Sequence, residues 1–376
     1  MKSRVYVCHT IYHAYISCLK ELALPEEEHG KADLVLSTMS NDFGTYPDRA
    51  RISGLWSNVY MFDEKEDVQF PEVMKYHTDR GNLFSNMLAR IKYTRLLGKS
   101  QEPYVPVDFR EYKDVYVFCD SDPIGYYLNY KKIPYHGVED GLDTIFYCDD
   151  AQFSNRGHFA FKAWMAEKGL IFIPDGYSRY CIDMEVNNTS ILNTPCKKYI
   201  ECPRRPLYER LTANDKDILV HMFVEDVDDL VERLKRSSGS TDMVEGVGTA
   251  EGKNDERVPV VLVLSDPLCD LETRERIFRD IVDEYGFVNG KKGKVLIKPH
   301  PRDVLDYKAL FPDEEVLPGR FPMEMLNFLP GVHFDRVVTV FTVPDAIDFA
   351  EEKVFLGPDF MDKYEDPLLH RQNEQF

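Results

Sequence analysis

The sequence predicts an α/β protein made of two Rossmann-like units, and three observations carry that expectation. Short apolar runs rich in Val, Ile, Leu and Tyr recur along the 376 residues, each followed by a stretch with helical spacing of its apolar positions. Strands alternating with helices in this way imply mostly parallel sheets. The rhythm loosens from about Asp149 to Pro206, where aromatic and polar segments with many turn residues intervene, and then resumes. Residues 1–206 are therefore expected to form a first domain with an interdomain region at its end, and residues 207–376 a second.

Arg4 to Cys8 is the first expected strand, and Thr10 to Leu22 carries Ile11, Ala14, Tyr15, Cys18, Leu19 and Leu22 at helical spacing. Asp33 to Ser37 and Val59 to Phe62 follow as strands, then a helix over Asn82 to Leu97. A fourth strand spans Asp114 to Asp120; Asp122-Pro123 marks a helix start, and Tyr135 to Gly141 is the next strand with its exit loop. In the second half, Lys216 to His221 and Val258 to Leu264 open a new α/β unit, with a helix over Asp226 to Leu234 between them. Residues 237–257 lack periodicity and are expected to form a solvated, mobile loop. A helix over Glu272 to Tyr285, the strand ending at Lys298-Pro299-His300-Pro301, a helix opened by Pro322 and a strand over Arg336 to Val340 complete the pattern.

Composition excludes several classes of function. A net charge of −19 argues against a broad nucleic-acid or anionic-membrane surface, so an anionic ligand needs a local basic pocket. No apolar run is long enough for a transmembrane helix, and the start is too short and polar for a signal peptide, which points to a cytoplasmic protein. The 8 cysteines are scattered without a C-x-x-C pair and are expected to be reduced and buried. Tyr126, Tyr127, Tyr130 and Trp164 are expected in the core rather than stacked on sugars.

The chemistry gathers at strand ends. Val295-Leu296-Ile297-Lys298 stops at Pro299-His300-Pro301-Arg302, because proline cannot continue a ladder. Lys298, His300 and Arg302 then stand at a strand's carboxyl end, where open α/β sheets bind ligands, and suit a phosphate. Glu139-Asp140-Gly141 ends another strand; a carboxylate there can take a proton from a hydroxyl, or the segment is an ordinary acidic turn. Ser265-Asp266-Pro267 offers a helix cap, a phosphate contact or a base. Asp120-Ser121-Asp122 has a metal-binding D-x-D pattern, but Asp122 before Pro123 fits a helix cap better. Glu324 in a first helical turn could accept from a ribose diol or simply complement the helix dipole, and Thr342 could donate to phosphate. No His/Cys cluster, P-loop or G-x-S-x-G elbow is present in the sequence pattern.

In this order, the strand end Cys8-His9-Thr10-Ile11, Glu139-Asp140-Gly141, Ser265-Asp266-Pro267, Pro299-His300-Pro301-Arg302, Glu324 and Phe341-Thr342 resemble the bacterial sialyltransferases of glycosyltransferase family 52, the lipooligosaccharide sialyltransferase family. The resemblance implies a GT-B architecture of two facing Rossmann-like domains with a cleft between them. It places a galactose-ended acceptor glycan on the amino-terminal side and CMP-sialic acid on the carboxyl-terminal side. Transfer is expected to invert the anomeric centre and to need neither cofactor nor metal. The resemblance makes His300 the group that stabilises or protonates the departing phosphate, Glu324 the ribose contact and Thr342 a phosphate contact. Asp140 and Asp266 are both candidates for the base, and Glu139, Gly141, Ser265, Lys298, Pro301, Arg302 and Phe341 are expected to line the substrates. A homodimer is also implied. Thr342-Val343-Pro344 and the Asp-Pro order after Ser265 depart from the family pattern. They keep two rivals open: a transferase using a CDP-polyol or hexose donor, and a nucleotide-binding homologue without catalysis.

Overall fold

The computed structural model describes residues 2–141, 150–191, 196–238 and 257–370. The chain divides into two compact units, Met1–Leu211 and Thr212–Phe376. The first is built on β1 (Lys2–Cys8), α1 (Ile11–Leu22), β2 (Ala32–Ser37), α2 (Tyr46–Ile52), β3 (Trp56–Phe62), α3 (Leu83–Ser100), β4 (Tyr112–Phe118), α4 (Pro123–Lys131) and β5 (Tyr135–Val138), then β6 (Cys181–Val186) and β7 (Tyr199–Glu201). Its 7 strands lie in the order β3-β2-β1-β4-β5-β6-β7, and every pairing is parallel. The order reverses between β1 and β4. The loops leaving those two strands therefore flank the switch point, where such sheets accept ligands.

Sequence explains the central strands directly. Val5 and Val7 pack with Val35, Val115, Val117 and Tyr135 in one core, while Tyr6 on the opposite face stacks on Tyr116 at 4.9 Å. A strand covered on both faces needs such a continuous apolar run. Thr10 caps α1 by accepting the His13 N–H, which fixes where the helix starts and which face its first turn presents.

The region expected to be a loose interdomain segment belongs instead to the first unit, since β6 and β7 extend its sheet. Strand β6 hid because its polar positions are paired: Asp183 meets His136 at 2.8 Å and Glu185 meets Lys20. Helix α2 was also absent from the sequence expectation, its Tyr-Pro-Asp-Arg-Ala-Arg-Ile run having little apolar periodicity. Among the four aromatics assigned to the core, Tyr127 is buried, but Trp164 is exposed and stacks on Phe161.

The second unit starts with α5 (Ala213–Phe223), which contains Lys216 to His221, and α6 (Val227–Ser238). Then follow β8 (Val260–Leu264), α7 (Leu271–Tyr285), a hairpin of β9 (Phe287–Val288) and β10 (Lys291–Lys292), β11 (Lys294–Lys298), β12 (Glu315–Val316), β13 (Phe334–Thr339) and β14 (Ala350–Phe355). The order β12-β11-β8-β13-β14 is again parallel throughout and reverses at β8. Val261, Val263, Ile277, Phe278, Val295, Ile297 and Val338 form its core. Residues Met323–Asn327 are a 3-10 turn rather than the expected α-helix. The expected loop at 237–257 falls almost wholly outside the described residues. Among the described residues, no helix is long and apolar enough to cross a membrane, and the described cysteines are free.

Candidate active site

At the first switch point, the loop after β1 supplies His9 and α1 supplies His13. His9 is buried; its Nε2 lies 2.8 Å from Glu64 Oε2 and 3.4 Å from Asp122 Oδ2. Glu64, just past β3, also accepts from Ser37 Oγ at 2.7 Å and from the Ile124 N–H at 2.5 Å. Burial alone would lower the His9 pKa, but the Glu64, Asp122 and Asp140 carboxylates lift it to about 9. Burial raises Asp122 to about 7 despite His9. Asp122 stands at the expected cap position of α4 but makes no side-chain cap bond; its carboxylate faces His9 instead.

Asp140 is paired with His13 Nε2, and its side chain keeps 21% of its exposure. Gly141 has φ +88°, and a Cβ there would sit 3.0 Å from the Tyr12 ring, so this exit loop requires glycine. Glu139 is buried and structural: it accepts the Asn187 N–H at 2.9 Å and faces Arg204 at 3.6 Å. Burial raises its pKa, with Arg204 opposing. Asp120 is likewise occupied, accepting from Tyr135 OH at 2.6 Å and from the Asp175 N–H at 3.0 Å. The D-x-D pattern is thus divided between a buried brace and a histidine partner.

His9, His13 and Cys119 bring potential metal-ligating atoms within 4.8 Å of one another. The His9 N–H donates to His13 Nδ1 at 3.1 Å, however, which fixes the proton of the neutral ring on Nε2, beside Asp140. That tautomer offers a cation no lone pair at Nε2.

At the second switch point, Ser265 and Asp266 follow β8, and Phe341 and Thr342 follow β13. Asp266 joins the two loops, accepting the Phe341 N–H at 3.1 Å and the Thr342 hydroxyl at 3.3 Å. It is 3% exposed, and burial raises it to about 6 against those bonds. Ser265 makes no helix cap; its hydroxyl donates to Asp303 at 2.6 Å and accepts the His300 N–H at 3.0 Å. Asp303, which sequence reasoning missed as a site residue, is the hub: Arg274 Nη1 lies at 2.6 Å and Tyr307 OH at 2.7 Å.

His300 Nδ1 accepts the Arg302 N–H at 3.1 Å, so the neutral ring carries its proton on Nε2. Burial, then Arg302 and Lys298, lower its pKa to about 3. Lys298 is not presented as a ligand cation. It is buried, with Nζ donating to the Pro299 and Gly319 carbonyls at 3.1 and 3.3 Å and lying 4.4 Å from the Phe321 ring centroid. Burial lowers it to about 7, with Glu324 opposing. Burial in turn raises Glu324, which shares this electrostatic neighbourhood. Pro301 is half-buried in the turn after His300, and Arg302 is exposed.

Two Rossmann-like units, each with ligand-type groups at its switch point, define a GT-B type α/β protein. The chain belongs to glycosyltransferase family 52, whose model matches residues 57–357. Its structure is similar to that of an α/β-galactoside α-2,3-sialyltransferase of Photobacterium phosphoreum, with a TM-score of 0.50 and 12% identity over 94% of this chain and 89% of that one. At that identity the likeness is one of fold. A sialyltransferase of Photobacterium damselae gives a TM-score of 0.49 and 11% identity over 93% of this chain and 89% of its own. An uncharacterized protein of Haemophilus influenzae is 35% identical over 98 residues, which span 25% of this chain and 30% of that protein.

Proposed function

We propose that the chain is an inverting, metal-independent sialyltransferase, moving sialic acid from CMP-sialic acid to a galactose-ended glycan of a bacterial surface glycolipid or polysaccharide. The observation that carries this reading, within a family 52 chain, is His300. A neutral imidazole with its proton on Nε2, close to Arg302, can donate to the oxygen of a departing monophosphate. CMP leaves as a monophosphate ester with less charge than a nucleoside diphosphate, so such donors can take the stabilising role that a divalent cation plays elsewhere.

In this mechanism the acceptor hydroxyl attacks the anomeric carbon of the sialic acid. The bond from that carbon to the phosphate oxygen breaks, and its electron pair leaves with CMP. His300 donates to the leaving oxygen. The hydroxyl proton passes to a carboxylate as the new bond forms, because an alcohol is too weak an acid to lose it beforehand. We assign that role to Asp140. Both Asp266 oxygens already accept bonds within the protein, whereas Asp140 retains exposure. Glu324 is assigned to the ribose, while the Thr342 hydroxyl would have to exchange Asp266 for phosphate.

The same reading places the protein in the cytoplasm, at the inner face of the membrane, as a homodimer. The α3 surface supports the membrane part: Phe84, Leu88, Lys92, Arg95 and Lys99 are its exposed positions along one stripe, an apolar and basic pattern suited to anionic lipid. The test of function is CMP release from CMP-sialic acid in EDTA, with and without lactose. Sialyl-lactose formation is expected. Consumption of CDP-glycerol alone would select the polyol rival, and CMP binding without turnover would select a non-catalytic homologue.

A further inference from the structure

The assignment of Asp140 as base leaves open what holds that carboxylate in place, and α1 supplies an answer. His13 is fully buried in the first turn of α1. Its N–H is taken by Thr10, its carbonyl accepts from Ser17 Oγ at 2.9 Å, and its ring stacks on Phe118 at 4.6 Å with planes 12° apart. The His9 N–H, reaching Nδ1, then dictates the tautomer. Ring position and proton position are thus both set by groups outside the side chain. The Asp140 loop is fixed from a second side by Tyr12, whose ring closes the space beside Gly141.

We infer that His13 is a positioning residue for the transfer: its Nε2–H bond to Asp140, in a tautomer imposed by the His9 backbone, orients the carboxylate toward the acceptor proton. In Ser-His-Asp triads a carboxylate orients a histidine that moves the proton; here the roles are exchanged. No proton leaves His13. The acceptor's proton goes to Asp140, and Nε2–H donates before and after. The inference rests on the assignment of Asp140 as the base.

Three variants test it in the full chain. His13→Phe keeps the volume and the stack but loses both hydrogen-bonding functions. His13→Asn is small, can still accept from the His9 N–H and is too short to reach Asp140. His13→Gln has a carbonyl for His9 and an amide donor for Asp140. The first two are expected to lower kcat for sialyl-lactose formation by about 100-fold, as misplaced catalytic groups do, with KM for CMP-sialic acid within about twofold of wild type. His13→Gln is expected to recover most of kcat. Combining His13→Asn with Asp140→Asn should cost no more than Asp140→Asn alone, because the two act as one unit. Wild-type kcat in folded His13→Phe or His13→Asn, with Asp140→Asn inactive, would overturn the inference and leave the base intact. An active Asp140→Asn would instead overturn the base assignment. Equal losses in all three His13 variants, additive with Asp140→Asn, would reduce His13 to packing.

Discussion

His9 and His300 both follow parallel strands at the carboxyl edges of their sheets, His9 after β1 at the first switch point and His300 after β11, one strand away from the second, yet their pKa values move in opposite directions. His9 is buried and His300 largely so, and loss of solvent favours the neutral ring at both. At His9 three carboxylates overcome that preference and lift it to about 9; at His300 Arg302 and Lys298 add to burial and lower it to about 3. A parallel sheet delivers a side chain to its carboxyl edge, but the neighbouring charges decide what its proton can do. The first unit therefore holds a charged histidine among carboxylates, suited to structure and to polar acceptors. The second holds a neutral donor beside the exposed Arg302, suited to a phosphate.

Removing the donor should break this contrast most severely. His300→Ala is expected to lower the transfer rate about 1,000-fold, within the range for loss of a group stabilising developing charge. Urea midpoints of the first unit should stay unchanged, and an equal loss of stability in both units would contradict the division of roles. The pH dependence of stability comes next. His9 binds its proton more tightly folded than unfolded, so its contribution is complete below 6.5 and is lost as pH rises to about 9. At 1.36 kcal/mol per pH unit this amounts to ~3 kcal/mol, and His9→Gln should remove it from urea unfolding compared at pH 6 and pH 9.

Asp266→Asn sharpens the distinction between the two candidate bases. It should cost ~1–3 kcal/mol of stability, as expected where two buried hydrogen bonds lose a charged acceptor, while folded enzyme keeps much of its kcat. A folded variant with kcat reduced 1,000-fold would return the base role to Asp266. Gly141→Ala is the smallest change, ~1–2 kcal/mol from the positive φ and the Tyr12 contact. Thermal unfolding measures it, and an unshifted midpoint would contradict the close fit of this loop.

The strands that carry these sites were legible because parallel strands buried on both faces must be apolar; Val260 to Leu264 and Val295 to Ile297 announce themselves. So were the motifs at their ends. The partners were not. Glu64 lies in Asp63-Glu64-Lys65-Glu66-Asp67, a run indistinguishable from a solvated surface until β3 delivers it to the buried edge beside His9. Asp303 directly follows the Pro299-His300-Pro301-Arg302 motif, but its role as a brace needs Arg274 and Tyr307, which approach only through tertiary packing. His13 had one local signal: Thr10 as a cap places it in the first turn of α1, near the end of β1. Strand β6 was missed because paired charges at Asp183 and Glu185 occupy positions where an apolar alternation would have revealed it, and β7 because it is only Tyr199–Glu201.

The central claim is that a neutral imidazole in the second unit and a carboxylate in the first divide the work of sialyl transfer. Single-turnover measurement of sialyl-lactose and CMP from labelled CMP-sialic acid, in EDTA, tests it most directly when wild type, His300→Ala and Asp140→Asn are compared. The account predicts metal-independent transfer by wild type, loss of CMP release in His300→Ala, and in Asp140→Asn a loss of sialyl-lactose greater than the loss of CMP. Transfer that survives both substitutions, or that disappears on chelation, would contradict it.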